Sequence, residues 1–225
     1  MESRSHSSRA QLALDEGGEA MLVVGTNLRL GHATDAGADI PLWGDLGEHV
    51  LEFTLEESFH GGARWCIRGP GGPGDPDLGQ DEEIPIGSGG GVRLTQPGTA
   101  SAAGVLELSG SLDAEGARRV LLVPPGAGGS VRMGCTPDCH LLWKGMTPES
   151  HVELTVEEEE GGLTLHLRCA EGLRVPGGEL ETHWAGPFPP CERVEIHLGD
   201  PDSTASPCAL CLSPGSHPTI DRGPA

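Results

Sequence analysis

The chain has 225 residues and a formal net charge of −20, a balance that opposes binding to nucleic acid or to an anionic membrane surface. Its 36 glycines and 19 prolines argue against long helices and for short elements joined by turns, and a hydrophobic content of 36 % makes any core lean. No stretch approaches the ~20 apolar residues of a membrane-spanning helix. The polar start, Met1 to Arg9, leads into no apolar signal segment. The expected address is therefore cytoplasmic, with the seven cysteines as reduced thiols or metal ligands.

Residues 1–18 read as a polar, disordered arm. Strand patterns begin at Ala20. Met21-Leu22-Val23-Val24 is a short apolar run, and Asn27-Leu28-Arg29-Leu30 alternates. Val50 to Glu56 alternates partly in period two, and Arg64-Trp65-Cys66-Ile67-Arg68 does so cleanly, with Trp65 and Ile67 on one face. The glycines between them mark a hairpin turn around 59–63.

Residues 69–91 are glycine, proline and acid, and read as a long loop. Strands resume at Val92-Arg93-Leu94, Gly104 to Leu108 and Arg119 to Val123. After Pro124-Pro125-Gly126, further strands fall at Ser130 to Met133, His151 to Glu157, Leu163 to Cys169, Leu173 to Val175 and Arg193 to Leu198. The acidic run Glu157 to Glu160, followed by Gly161-Gly162, reads as a hairpin tip. Residues 201–225 read as a flexible tail.

The chain also repeats itself. Leu28-Arg29-Leu30-Gly31-His32, Asp39-Ile40-Pro41-Leu42 and His49-Val50-Leu51-Glu52-Phe53 are echoed by Val131-Arg132-Met133-Gly134-Cys135, His140-Leu141-Leu142-Trp143 and His151-Val152-Glu153-Leu154. The glycines Gly31 and Gly134 are 103 positions apart, and the histidines His49 and His151 are 102 apart. Such near-constant spacing predicts a duplicated unit.

The order of these blocks resembles the forkhead-associated (FHA) domain, a β-sandwich of about a hundred residues. Members carry a strand ending in Gly-Arg, an Asp-Ile-x-Leu block, Ser-x-x-His opening a strand, and then a Trp-containing strand. The resemblance implies an all-β chain of two tandem FHA-like sandwiches: 19–95 as the first domain, 96–127 as bridging strands or linker, and 128–200 as the second. It also implies that His49 and His151 are structural histidines.

FHA domains hold a phosphothreonine with the arginine after the glycine and the serine three before the histidine. This sequence departs at both positions in both units: His32 and Cys135 replace the arginine, Leu46 and Pro148 the serine. A phosphate dianion needs charge-assisted donors, which a neutral imidazole and a thiol do not supply. The candidate binding loops therefore contain Gly31, His32, Asp39, Leu46, His49, Gly134, Cys135, Pro148 and His151, and the expected partner is a protein, basic or phosphorylated.

Two other chemistries have sequence signals. Cys135-x3-Cys139-His140 and Cys208-x2-Cys211 are candidate zinc ligands, since zinc takes four thiolate or imidazole donors. Ser150 and His151 are sequence neighbours and so point to opposite faces of a strand, which excludes a direct catalytic dyad. No catalytic residue and no cofactor is assigned. The sequence reads as a non-catalytic interaction module, with phosphopeptide binding through a variant pocket and a zinc-stabilised module as the alternatives.

Overall fold

The computed structural model describes residues 8–15, 17–46, 51–57, 62–69, 80–97, 101–126, 128–198 and 208–214. Among them the chain is all β, with seventeen strands and no helix.

A small sheet has the order β4 (Ile40–Leu42), β3 (Asn27–His32), β5 (Leu51–Glu57), β6 (Ala63–Arg68). The remaining strands form one long bent sheet. From one edge it runs β12 (Leu141–Leu142), β11 (Val131–Gly134), β13 (His151–Glu159), β14 (Gly162–Arg174), β16 (Val194–Leu198) and β17 (Ala209–Pro214). It continues through β1 (Ser8–Leu14), β2 (Gly18–Val24), β10 (Arg119–Val123), β9 (Gly104–Gly110), β8 (Gly90–Thr95) and β7 (Glu83–Ile86). β15 (Glu181–Phe188) pairs with β14 off this path.

The bend sits in β14. Its pairing with β15 slips between Arg168 and Leu173, after which Leu173 and Arg174 pair with β16. Gly172 makes the corner possible: its φ is +99°, and a Cβ there would lie 2.6 Å from the Leu180 side chain.

Two apolar cores result, and they share strands. Met21 and Val23 of β2, Val120 and Leu122 of β10, and Leu106 and Leu108 of β9 pack against Leu28, Leu30, Phe53, Trp65 and Ile67 of the small sheet. The alternate residues of the same strands (Ala20, Leu22 and Val24; Leu121 and Val123; Val105) join Met133, Trp143, Val152, Leu154, Leu165 and Leu167 in the other core. A strand covered on both faces must be apolar throughout, which explains the uninterrupted Met21 to Val24 and Val120 to Val123 runs. Each large side chain buried this way contributes about 1.5–3 kcal/mol.

Trp65 anchors the first core. Its Nε1–H donates to the Ala102 carbonyl at 2.8 Å, and Gly104 faces the ring so closely that a Cβ would sit 3.1 Å from Trp65 Cδ1. Trp143 is fully buried in the second core.

Four expectations are corrected. Residues 96–127 are no linker, because β9 and β10 are the central strands of both cores. The arm of 1–18 contains β1, whose Ala10, Leu12 and Leu14 are buried, and Arg9 is held there by Glu115, 3.7 Å away. The tail beyond 200 contains β17, which bridges β1 and β16 through Leu210 and Leu212. Within the supposed loop of 69–91, β7 and β8 form a hairpin that turns at Gly87 to Gly89. The hairpin at 59–63 and His49 fall largely or wholly outside the described residues.

Candidate recognition loops

The duplication is visible in the strand pairing. β3 pairs parallel with β4 and antiparallel with β5, which pairs with β6. In the same way β11 pairs parallel with β12 and antiparallel with β13, which pairs with β14.

The register also corrects the histidine match. Leu30 pairs with Ile40 and Leu51, and its counterpart Met133 pairs with Leu141 and Val152. The spacing between the units is thus 103 on the first strand but 101 on the next two, because the loop after Gly134 is two residues shorter than the loop after Gly31. The counterpart of His151 is therefore Val50 and not His49. Thr147, not Pro148, corresponds to Leu46.

In the first unit the loop is clasped at its base. Arg29 N–H donates to Asp39 Oδ2 at 2.8 Å, and Asp39 N–H returns a bond to the Arg29 carbonyl at 2.8 Å. The Arg29 guanidinium lies 3.1 Å from Asp35 Oδ2, and Asp35 Oδ1 accepts from Gly37 N–H. Gly31 is buried against this turn, where a Cβ would meet that of Ala38 at 3.2 Å.

Beyond the clasp, His32 is exposed. Its Nδ1 accepts from Thr34 N–H at 3.2 Å and lies 2.8 Å from the Thr34 hydroxyl. The imidazole meets Trp43 edge to face, with centroids 6.2 Å apart. Trp43 is half exposed, yet its backbone is fixed by a reciprocal pair of bonds to Asp113 at 2.8 and 3.2 Å. Leu46 is buried in the first core and does not line the surface. Asp45 accepts from the Ser88 hydroxyl at 2.6 Å.

The second unit rebuilds the clasp with different chemistry. Arg132 N–H donates to His140 Nδ1 at 3.1 Å, and His140 N–H donates to the Arg132 carbonyl at 2.8 Å. The Arg132 guanidinium lies 2.9 Å from Asp138. Asp138's carboxyl is held below its usual range, first by a bond from the Thr136 side chain and also by Arg132. His140 is buried, and burial pushes its pKa down, against the opposing pull of the Ala103 carbonyl.

Cys139 is buried behind Gly134, with its sulfur 3.3 Å from Thr136 Oγ1, and Cys135 is half-buried. Pro148 and His151 are exposed, while Ser150 is buried. Thr147 and Ser150 share a hydroxyl–hydroxyl bond of 2.7 Å, and the Ser150 hydroxyl donates to Glu171. An open cleft of about 400 Å³ lies here, lined by Ser150, His151, Glu153, Arg168, Cys169 and Glu171 among others. Burial raises the pKa of the Cys169 thiol.

The electrostatics at both loops are alike. Arg29 and Arg132 each pair with a carboxylate of their own loop, partly exposed for Arg29–Asp35 and well exposed for Arg132–Asp138, and the rim carries Asp35, Asp45 and Asp113 in one unit and Asp138, Glu149 and Glu171 in the other. The hydroxyls that could face an anion in the second unit are already bonded to each other and to Glu171.

The cysteine pairs do not converge. Among the described residues, the ligand set whose donor atoms gather within 4.8 Å is Glu157, Glu159 and His166, without Cys135, Cys139, Cys208 or Cys211. Cys211 lies in β17 opposite Ala13 and Glu195, away from β11 in the sheet order. Sequence reasoning also passed over Trp43, Glu171 and His140's role in the clasp. The reciprocal pairing of Asp39 and His140 with their arginines is a backbone relationship that no residue-type motif encodes.

No family model, curated protein or solved structure matches the chain.

Proposed function

We propose that this chain is a non-catalytic protein-recognition module of FHA-like descent whose loops have lost the phosphate site. The observation that carries this reading is the clasp itself. The same loop base is built twice, and in each copy the guanidinium is paired with a carboxylate of its own unit (Asp35 or Asp138). The order of the strand, the Asp-Ile block, the next strand and the Trp strand within one small sheet supports the FHA-like descent.

Recognition is best supported at the first unit. Trp43 and His32 make an exposed aromatic edge on a backbone held by Asp113, and Asp35, Asp45 and Asp113 lie around it. Such an edge takes an unmodified peptide segment that carries lysine or arginine: the indole provides apolar and cation–π contact, and the acids provide steering. The net charge of −20 favours the same partner.

The test is a peptide array of unmodified sequences probed with the whole protein and with Trp43→Ala. Capture of basic peptides that weakens at least tenfold in Trp43→Ala supports the reading. Capture that is unchanged in the variant, or that favours acidic or phosphorylated spots, overturns it.

A further inference from the structure

At the tip of the β13–β14 hairpin, away from the recognition loops, three side chains on the outer face of the sheet point together. Glu157 and Glu159 come from β13, and His166 comes from β14. Their donor atoms all lie within 4.8 Å of one another, with His166 Nε2 3.6 Å from Glu159 Oε1. Gly162 pairs with Glu159, so no side chain opposes that carboxylate and it can lean along the hairpin towards His166.

The surroundings aim these atoms. His166 Nδ1 is 3.1 Å from His183 Nε2 on β15. The two rings lie within 8° of parallel, with centroids 5.3 Å apart. That separation exceeds the N–N distance by about two ring radii, so the rings meet edge to edge along the line of an N–H···N bond and are not face-stacked. Nδ1 is thereby occupied, and Nε2 is left towards the carboxylates, shielded from solvent and without a hydrogen-bond partner. Glu159 is oriented likewise: Thr164 Oγ1–H donates to its Oε2 at 2.9 Å, leaving Oε1 for the centre.

We propose that Glu157, Glu159 and His166 form a divalent-cation site of the zinc class, with His183 and Thr164 as the outer groups that orient the ligands. Metal-binding histidines characteristically give their second ring nitrogen to such a partner, which fixes the tautomer and the ring orientation. When His166 donates from Nδ1 to His183, its Nε2 lone pair joins the two carboxylates as a donor set that a cation completes. Two carboxylates and a neutral imidazole balance a doubly charged ion. The imidazole selects zinc, cobalt or nickel over magnesium or calcium, and three protein ligands leave a fourth position for water or an external ligand. Tetrahedral donors sit about 3.3 Å apart around zinc, so donor atoms within 4.8 Å of one another need to close by about 1.5 Å at most. Bound there, the ion would staple the long hairpin beyond its last buried pair.

The experiment is cobalt(II) titration of the full chain in a non-thiol reductant, read by visible absorption, followed by displacement with zinc. The site predicts about one cobalt per chain with a tetrahedral spectrum that lacks thiolate charge transfer. His166→Asn and Glu159→Gln should each lower affinity tenfold or more, and His183→Asn about tenfold. The exposed position of Glu159 keeps Glu159→Gln informative if His166→Asn fails to fold. No cobalt uptake, uptake indifferent to these substitutions, or a thiolate band would each overturn the assignment. In the first of these cases a proton on His166 Nε2, shared with Glu159, accounts for the geometry.

Discussion

Asp39 and His140 do the same job in the two halves of the molecule. Each precedes a very short strand, accepts a bond from the backbone N–H of an arginine (Arg29 or Arg132), and donates its own N–H to that arginine's carbonyl. The requirement is an acceptor of the right reach. A carboxylate meets it near the surface, and a neutral imidazole meets it where the site is buried and a charge would be costly.

This difference makes the second clasp sensitive to pH. Burial lowers the folded-state pKa of His140, so the unfolded chain binds the proton more readily. Stability from this group is complete above the unfolded value near 6.5 and is lost as pH falls below it. Protonated Nδ1 also cannot accept from Arg132. Denaturant midpoints measured between pH 8 and pH 5 should fall for the natural chain, and the fall should be smaller in His140→Asn. Equal slopes in the two proteins would contradict this account.

Because β2 and β10 are buried on both faces, and Val105 and Leu106 of β9 enter opposite cores, the two cores should unfold together. Trp65 reports on one core and Trp143 on the other. In a fluorotryptophan-labelled chain, the two fluorine resonances should lose native intensity at the same denaturant concentration. Two separated midpoints would mean independent domains.

Arg9 secures the first strand. Its side chain and that of Glu115 are only 8 % and 9 % exposed, so Arg9→Ala would remove a positive charge from beside a buried carboxylate, which Gln11 also contacts at 3.3 Å. Removing one member of a buried pair costs about 3 kcal/mol. Chemical denaturation should register that loss, and a change below about 1 kcal/mol would show the pair to be effectively solvated.

Gly87 is fixed by two constraints at once. Its φ is +59°, and a Cβ would lie 1.7 Å from the Asp45 carbonyl oxygen. Gly87→Ala should cost about 3 kcal/mol or prevent folding. Ser88→Ala, which removes only the bond to Asp45, should cost about 1 kcal/mol.

Much of the fold was legible. Period-two runs and glycine–proline punctuation locate most strands, and the duplicated blocks do fold into the same four-strand pattern. The misses have physical causes. β1 alternates only through Ala10, Leu12 and Leu14 behind a polar leader. β15 is an edge strand that is exposed on most of its length and contains Gly186 and Pro187, so it carries no strand signature. The sharing of β2 and β10 was foreshadowed by their continuous apolar runs, but a run cannot say which two layers cover it.

The local geometry of the loops was legible in part. Gly31 and His32 end β3, and Asp39 closes the turn that follows. The match of His49 with His151 failed because a two-residue shortening upstream was hidden by histidines that fall one position apart. Glu171 and the Glu157, Glu159 and His166 cluster depend on a bulge and a cross-strand lean that follow from tertiary packing.

The most direct test of the central claim is capture of a degenerate phosphothreonine peptide library beside its unphosphorylated twin, using the whole protein at low and moderate salt. The account predicts no preference for the phosphorylated set, with basic unmodified peptides retained through Trp43. Selective, salt-sensitive retention of the phosphorylated set would contradict it, and would mean that Arg29 or Arg132 leaves its carboxylate to bind phosphate.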